Sequence, residues 1–245
     1  MSKETDWAAE TETLLLTAAI AHVEALGWSP RLIAAAARDC GLSLAEAELL
    51  LPEGPRDLAA LLARRHDEAA MTALSGVDPT ALKIRERIRT AVLARVDAAM
   101  ADRAATRRLM GFLALPSNVP LALRLLWASA DDLWRWAGDT ATDENHYTKR
   151  ALLAEILLST LAVRLASGEG AAATHLDGRI ASVMAFERWK GGFKPADIAG
   201  RLAARLGRLR YGGVSACILP RRGPYEEARS NGDRRLTWPI LRPGR

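Results

Sequence analysis

The stretch TETLLLTAAIAHVEALGWSPRLIAAAARDCGLSLAEAELLLP, residues 11–52, decides the fold. Helical apolar spacing runs to Leu26, and Gly27 follows where a helix end favours a left-handed residue. Ser29-Pro30 reads as an N-cap with proline at the first helical position. That second helix stops at Gly41. Ser43 with Glu46 three residues on is a capping box, and the third helix stops at Pro52. Three short helices with tight Gly/Ser turns predict a helix-turn-helix-like unit over residues 1–60.

Outward from this unit the helical pattern continues. Residues 56–74 form a fourth helix ended by Gly76. Asp78-Pro79 opens a long one over 80–100, where Ile84, Ile88, Val92, Val96 and Met100 make an apolar stripe. Another begins at Arg103 and breaks at Pro116. Residues 121–138 and 141–166 follow. Beyond Lys149-Arg150 only Glu155 and Arg164 are charged in the latter, which predicts a central, buried helix. Residues 168–178 read as a loop or helix entry, 179–189 as a helix. The expected fold class is all-α, in keeping with an Ala/Leu-rich composition poor in β-branched residues. Residues 61–192 are the expected larger bundle. Residues 193–213 are an amphipathic helix. Residues 214–245, with seven arginines, four prolines and no periodicity, are expected to be a disordered basic tail.

Several function classes lose support here. His22, His66, His146 and His175 lie in different segments, each read as a surface or capped residue. No HExxH, GxSxG or Walker loop is present. No catalytic residue, metal or cofactor is assigned. Cys40 and Cys217 form no CxxC pair, so a reducing compartment is expected. The acidic N-terminus lacks a signal-peptide core and no apolar run reaches eighteen residues. Residues 1–60 hold four basic side chains against ten acidic ones, net −6, so the rest carries +11 of a total of +5. A DNA-reading third helix needs basic and polar side chains, whereas Leu44–Leu51 offers Glu46, Glu48 and leucines. Scaffold use of the unit, with no nucleic acid bound, is the better reading.

Two other features point to surfaces. On the last helix Ile198, Leu202, Leu206 and Leu209 form a stripe flanked by Arg201, Arg205 and Arg208. That is a pattern for an anionic membrane interface, or for docking on the core. In WASADDLWRWAGDTATDENHYTKRALL, residues 127–153, scarce aromatics gather among acids. Trp127, Asp131 and Trp134 share a helix face by their i, i+4, i+7 spacing. This is either a packed helix with local ion pairs or an interface hot spot.

Residues 113–157 carry, in order, an LPxNxP element, a DDxWxxAGD run and a TDxNxYT[KR]R run. On these motifs the chain resembles the coenzyme Q biosynthesis protein nine family, with weaker similarity over roughly 12–213. The resemblance implies a TetR-like all-helical fold, a homodimer, and a pocket for an isoprenoid quinone lipid. It implies engagement of the membrane surface by Ile198, Arg201, Leu202, Arg205, Leu206 and Leu209. It also implies delivery of lipid to the di-iron demethoxyubiquinone hydroxylase. The partner patch would comprise Asp131, Leu133, Trp134, His146, Tyr147 and Arg150. His146 stands where the family often has tryptophan, with less aromatic area. Leu123, Trp127, Leu153, Ile156 and Leu157 are candidate lipid-lining residues. Expected location is cytoplasmic, peripheral on the inner face of a bacterial membrane, or the matrix side of the inner membrane in mitochondrial relatives. The alternatives are a TetR-like regulator with a small-molecule pocket and an enzyme whose site carries no motif.

Overall fold

Helix ends are set by local chemistry that the sequence announces. A computed structural model describes residues 2–139 and 144–192, and side chains over 7–139 and 146–185. Helix α1 spans Ser2–Leu26, α2 Pro30–Asp39 and α3 Leu44–Leu50. Between α1 and α2, Gly27 turns the chain at φ 60°, a left-handed conformation that a Cβ would strain. The Ser43 hydroxyl accepts from the Glu46 amide at 3.2 Å, and the Glu46 carboxylate accepts from the Ser43 amide at 2.8 Å. Such a cap contributes about 1 kcal/mol. Ser29 behaves differently: its backbone is extended, but its hydroxyl donates back to Leu26 O at 3.0 Å instead of capping α2. Pro30 needs no cap at that position, having no N–H.

Helix α4 is Pro55–Leu74, α5 Ile84–Ala101, α6 Arg103–Leu113, α7 Val119–Trp136, α8 Glu144–Ser167 and α9 Glu169–Gly192. Short 3-10 turns cover Pro79–Ala81 and Pro116–Asn118, and the described residues contain no strand. The all-α expectation stands.

Two boundaries and one burial expectation differ from the sequence reading. First, α5 begins at Ile84 rather than near Thr80. The Asp78 carboxylate accepts from both the amide and hydroxyl of Thr80 at 2.8 Å, closing a local turn that competes with the helix. Second, α9 begins at Glu169 and runs through the stretch read as a loop or helix entry; Gly168, at φ 85°, makes the whole connection. Third, α8 is not enclosed. Ala151, Glu155, Leu158, Ala162 and Ala166 form one exposed stripe along it. The expectation of burial fails because apolar residues alone do not guarantee a neighbour on every side.

Two cores organise the bundle. One joins α1, α2 and α3 through Leu15, Leu32 and Ala47 to Leu58 of α4, and it also takes Ala105 and Leu109 from α6. The boundary expected at residue 60 therefore falls inside α4, a helix shared by both cores. The second joins α5, α7, α8 and α9 through Val92, Val96, Leu133, Leu153, Leu157 and Leu176. On α5, Ile88, Val92 and Val96 are buried while Ile84 is 43% exposed. A repeat of four drifts roughly 40° per step on a 3.6-residue helix, so an end of the stripe swings off the core.

The LPxNxP element is a junction. Asn118, 3% exposed, accepts from Arg56 Nε of α4 at 3.0 Å and donates to Phe112 O of α6 at 2.9 Å. Arg56 also reaches Ser117 O at 3.1 Å. One buried amide thus fixes where α7 starts against α4 and α6. The segment expected as an amphipathic helix at 193–213, with its six membrane residues, and the tail at 214–245 lie outside the described residues.

Among the described residues no single helix is long and apolar enough to cross a membrane. Arg103–Leu113 with Pro116–Trp136 passes by length and composition only as a pair bent by 98°.

Candidate functional site

The acidic–aromatic cluster folds into a clasp at the α7–α8 corner. Arg150, 2% exposed, donates from Nε to Asp131 at 2.5 Å. From Nη1 it reaches Asp139 and His146 O, both at 3.3 Å. Lys149 pairs with Asp139 at 2.7 Å, and Arg135 with Asp131 at 2.7 Å. The Trp134 indole N–H donates to Lys149 O at 2.9 Å, and Lys149 Nζ lies 5.6 Å from that ring's centroid. Gly138, at φ 87°, lets the chain leave α7 while Arg87 holds Ala137 O at 2.8 Å. The DDxW and YT[KR]R runs are therefore largely one buried ion-pair network that fixes how α8 leaves α7.

This corrects part of the expected partner patch. Leu133 is 2% exposed and sits in the second core, because Ala130, Leu133 and Ala137 form the inward face of α7. Arg150 is buried, Asp131 is tied beneath it, and Trp134 is half-buried. Tyr147 stays outside at 65% exposure, with His146 edge-on to it at 5.2 Å between ring centroids. Trp127, expected to face inward, is instead at the surface and meets Tyr147 at 6.0 Å. Leu123 and Val119 continue outward from Trp127 at four-residue steps, 63% and 42% exposed. Trp127 and Trp134 share a face as spaced, but Trp127 is at the surface while Trp134 is half-buried. The face passes from solvent to interior along one helix.

An apolar cavity of about 280 Å3 lies directly behind the corner, between α5, α7, α8 and α9. Ile88, Trp134, Leu153, Ile156, Ile180 and Val183 form most of its wall. Leu153 and Ile156 are thus where lipid-lining residues were expected. Leu157 packs in the core beside them without lining the cavity, and Leu123 and Trp127 are on the outside. Ile180 and Val183 lie in the helix expected over 179–189 but were not assigned to a pocket, although their i, i+3 spacing carries the signal. Thr148 and Lys149 also line this cavity, so its wall adjoins the exposed Tyr147.

A second cavity, of about 370 Å3, is walled by α4 to α8 and has a polar floor. His66 is 3% exposed, not a surface residue as the sequence reading had it; its Nε2 lies 3.0 Å from Asp102. Arg65, the residue just before it on α4, pairs with the same carboxylate. Arg95, 7% exposed, donates to Asp67 at 2.5 Å, which also accepts from Ser129 at 2.6 Å. Burial and then the nearby Arg95 charge push the His66 pKa down to about 4, against the pull of Asp102. Burial raises the Asp102 carboxyl, but hydrogen bonds from Arg65 and His66 outweigh it and hold it below the usual range. Asp132 is raised by burial, then by Asp67 and Asp131. Polar residues on apolar helix faces were the available signal for this floor. Among the described residues, no group of three or more His, Cys, Asp or Glu is placed to hold a metal ion.

Residues 119–187, from the start of α7 into α9, match the sequence model of the COQ9 family. That segment contains the whole clasp and three of the four helices around the first cavity. Over residues 119–187 the chain is similar to the COQ9 family. The chain is similar to the human protein "Ubiquinone biosynthesis protein COQ9, mitochondrial", 32% identical over 154 residues, which is 60% of this chain and 48% of that one. It is 34% identical over 162 residues to Xenopus laevis "Ubiquinone biosynthesis protein COQ9-B, mitochondrial", covering 62% and 54%. The bovine protein of the same description is 33% identical over 154 residues, covering 60% and 48%. The chain spans about half the length of the curated relatives it matches. The matched segment holds the clasp, the aromatic corner and most of the residues lining the apolar cavity.

Proposed function

We propose that this chain is a COQ9-type protein, a lipid-binding accessory protein of ubiquinone biosynthesis. In this reading it takes an isoprenoid quinone intermediate from a membrane surface and presents it to the di-iron demethoxyubiquinone hydroxylase, the partner performing the chemistry. One observation carries the reading: the apolar cavity and the exposed aromatic corner are built on the same two helices. Thr148 and Lys149 line the cavity while Tyr147 faces out, so a bound head group and a docked partner would meet within one turn of α8. A 280 Å3 space sits at the small end of ligand pockets, enough for a head group or the start of a tail rather than a whole polyprenyl chain.

The partner surface in this reading is Tyr147, His146, Trp127 and Leu123. Tyr and Trp supply large, rigid contact area at interface centres. The exposed α8 stripe supports the expected homodimer face, and residues 198–209 supply the membrane contact. Location follows from those partners: the inner face of a bacterial membrane or the mitochondrial matrix side; the relatives' printed names say mitochondrial. The regulator alternative is disfavoured by α3, whose exposed face presents Glu46 and Glu48 to any phosphate.

Lipid extraction and mass spectrometry of the purified chain test the cavity. An isoprenoid quinone or a lipid of similar polarity is expected, and Ile156→Trp, which fills the space, should remove it while the fold persists. A wild-type protein free of such lipid sinks the reading. For the corner, Tyr147→Ala should weaken hydroxylase capture by about tenfold or more, as expected of a buried aromatic anchor, with lipid content unchanged. If lipid and partner are lost together, Tyr147 has a structural role only.

A further inference from the structure

A basic cleft of about 900 Å3 lies on the other side of the bundle, where α6 crosses the end of α1. Arg103, Arg107 and Arg108 line it with Trp28, Phe112 and Leu115. Among the described residues none of the three arginines has a carboxylate at ion-pair distance. Each donates to a backbone carbonyl instead. Arg103 and Arg107 converge on Leu165 O at 3.3 and 3.2 Å, so their Nη2 atoms lie no further apart than the sum of those distances. Arg108 reaches Glu24 O at 2.6 Å.

Those carbonyls belong to the last turns of α8 and α1, so the plain role of the arginines is to cap two helix C-termini. A helix end offers about half a negative charge. Two such ends and the exposed Glu24 carboxylate leave three full positive charges only partly offset. Each guanidinium carries five N–H donors and gives one to a carbonyl, so planar forks remain for a multidentate anion. Beside them Trp28 and Phe112 stand with ring centroids 6.4 Å apart, tilted by 36°. Trp28 is 8% exposed, and its buried indole nitrogen has no hydrogen-bond acceptor. Buried donors normally have one, which marks this wall as incomplete.

We propose that this cleft binds a phosphate ester whose organic part is aromatic or apolar. The arginines hold the phosphate, and Trp28, Phe112 and Leu115 hold the attached group. The site is separate from the cavity behind the α7–α8 corner and does not depend on the function proposed for that cavity. A phospholipid head group and a small soluble phosphate ester share this chemistry.

Calorimetric titration of the full chain with phenyl phosphate at low salt tests it, with phenol and inorganic phosphate as controls. Phenyl phosphate should bind saturably and more tightly than either control. The double variant R107Q/R108Q should weaken it by about tenfold or more, as lost charge-assisted forks do. Arg107 also caps α8, so R108Q alone is measured beside it, with melting curves confirming that each chain is folded. Vesicles containing phosphatidylglycerol are the second arm. If they displace phenyl phosphate and bind the double variant less than wild type, the natural ligand is a lipid head group. If phenyl phosphate binds regardless of vesicles, the ligand is a soluble ester. Absence of saturable phenyl phosphate binding, or equal binding by folded R108Q and R107Q/R108Q chains and wild type, overturns the proposal.

Discussion

Replacing Arg150 by methionine is expected to destabilise the protein by about 3–5 kcal/mol, the range for removing one partner of a buried ion pair. The side chain is 2% exposed and sits between two carboxylates, Asp131 at 19% and Asp139 at 7% side-chain exposure. Methionine fills much of the volume, so the loss is electrostatic rather than a cavity. Lys149 still serves Asp139, but Asp131 keeps only Arg135, which is 70% exposed and weakly held. Adding Asp131→Asn to Arg150→Met should recover part of the loss, because it removes the stranded charge. Arg150→Lys should recover little, since one ammonium cannot reproduce a fork that meets Asp131, Asp139 and His146 O together. Chemical denaturation of the wild type and these three variants at neutral pH reads this directly. A loss below about 1 kcal/mol for Arg150→Met, the level of an exposed pair, would show the clasp to be dispensable.

The second large effect is a pH dependence centred on His66. Its folded pKa is about 4 and its ordinary value 6.5, so the unfolded chain binds the proton that the folded chain refuses. Stability from this group is fully present above 6.5 and is lost as the pH falls from 6.5 towards 4. A displacement of that size is worth up to about 3 kcal/mol. His66→Gln, which keeps a donor for Asp102 and cannot charge, should flatten the stability curve between pH 6.5 and 4 while leaving the neutral-pH value little changed. Asp102 acts lower down: its pKa is held beneath the ordinary 3.8, so its contribution is present above that value and fades only below it. Ring nitrogen chemical shifts of His66 supply the independent measurement. Titration near 6.5 in the folded protein would remove the effect and its cause.

Both predictions concern polar groups whose importance periodicity alone does not reveal. A wheel of α7 places Asp131 beside Trp127 and suggests a surface. Only the return of α8 shows that its Arg150 lies over Asp131 and turns a surface acid into a half-buried one. His66 likewise looks like one polar residue on a charged helix until α5 and α6 close over it with Arg95 and Thr106. Leu133 and Trp127 exchange their expected sides for the same reason: a helix has an inner face only where another element covers it.

The helical class, the Gly27 turn, the Ser43–Glu46 cap and the apolar stripe of α5 were determined by sequence alone. These depend on contacts within a few residues, which the chain carries wherever it folds. The long motifs at 113–157 likewise located the corner, because they record a structure that fixed residue types at fixed spacings. The tertiary structure decided which of those motif residues are clasp and which are surface. It also joined α5 and α9 to α8 around a cavity and brought Arg103, Arg107 and Arg108 against two helix ends and a tryptophan. Those outcomes depend on which helices become neighbours across tens of residues, and burial, ion pairing and pKa are properties of neighbours.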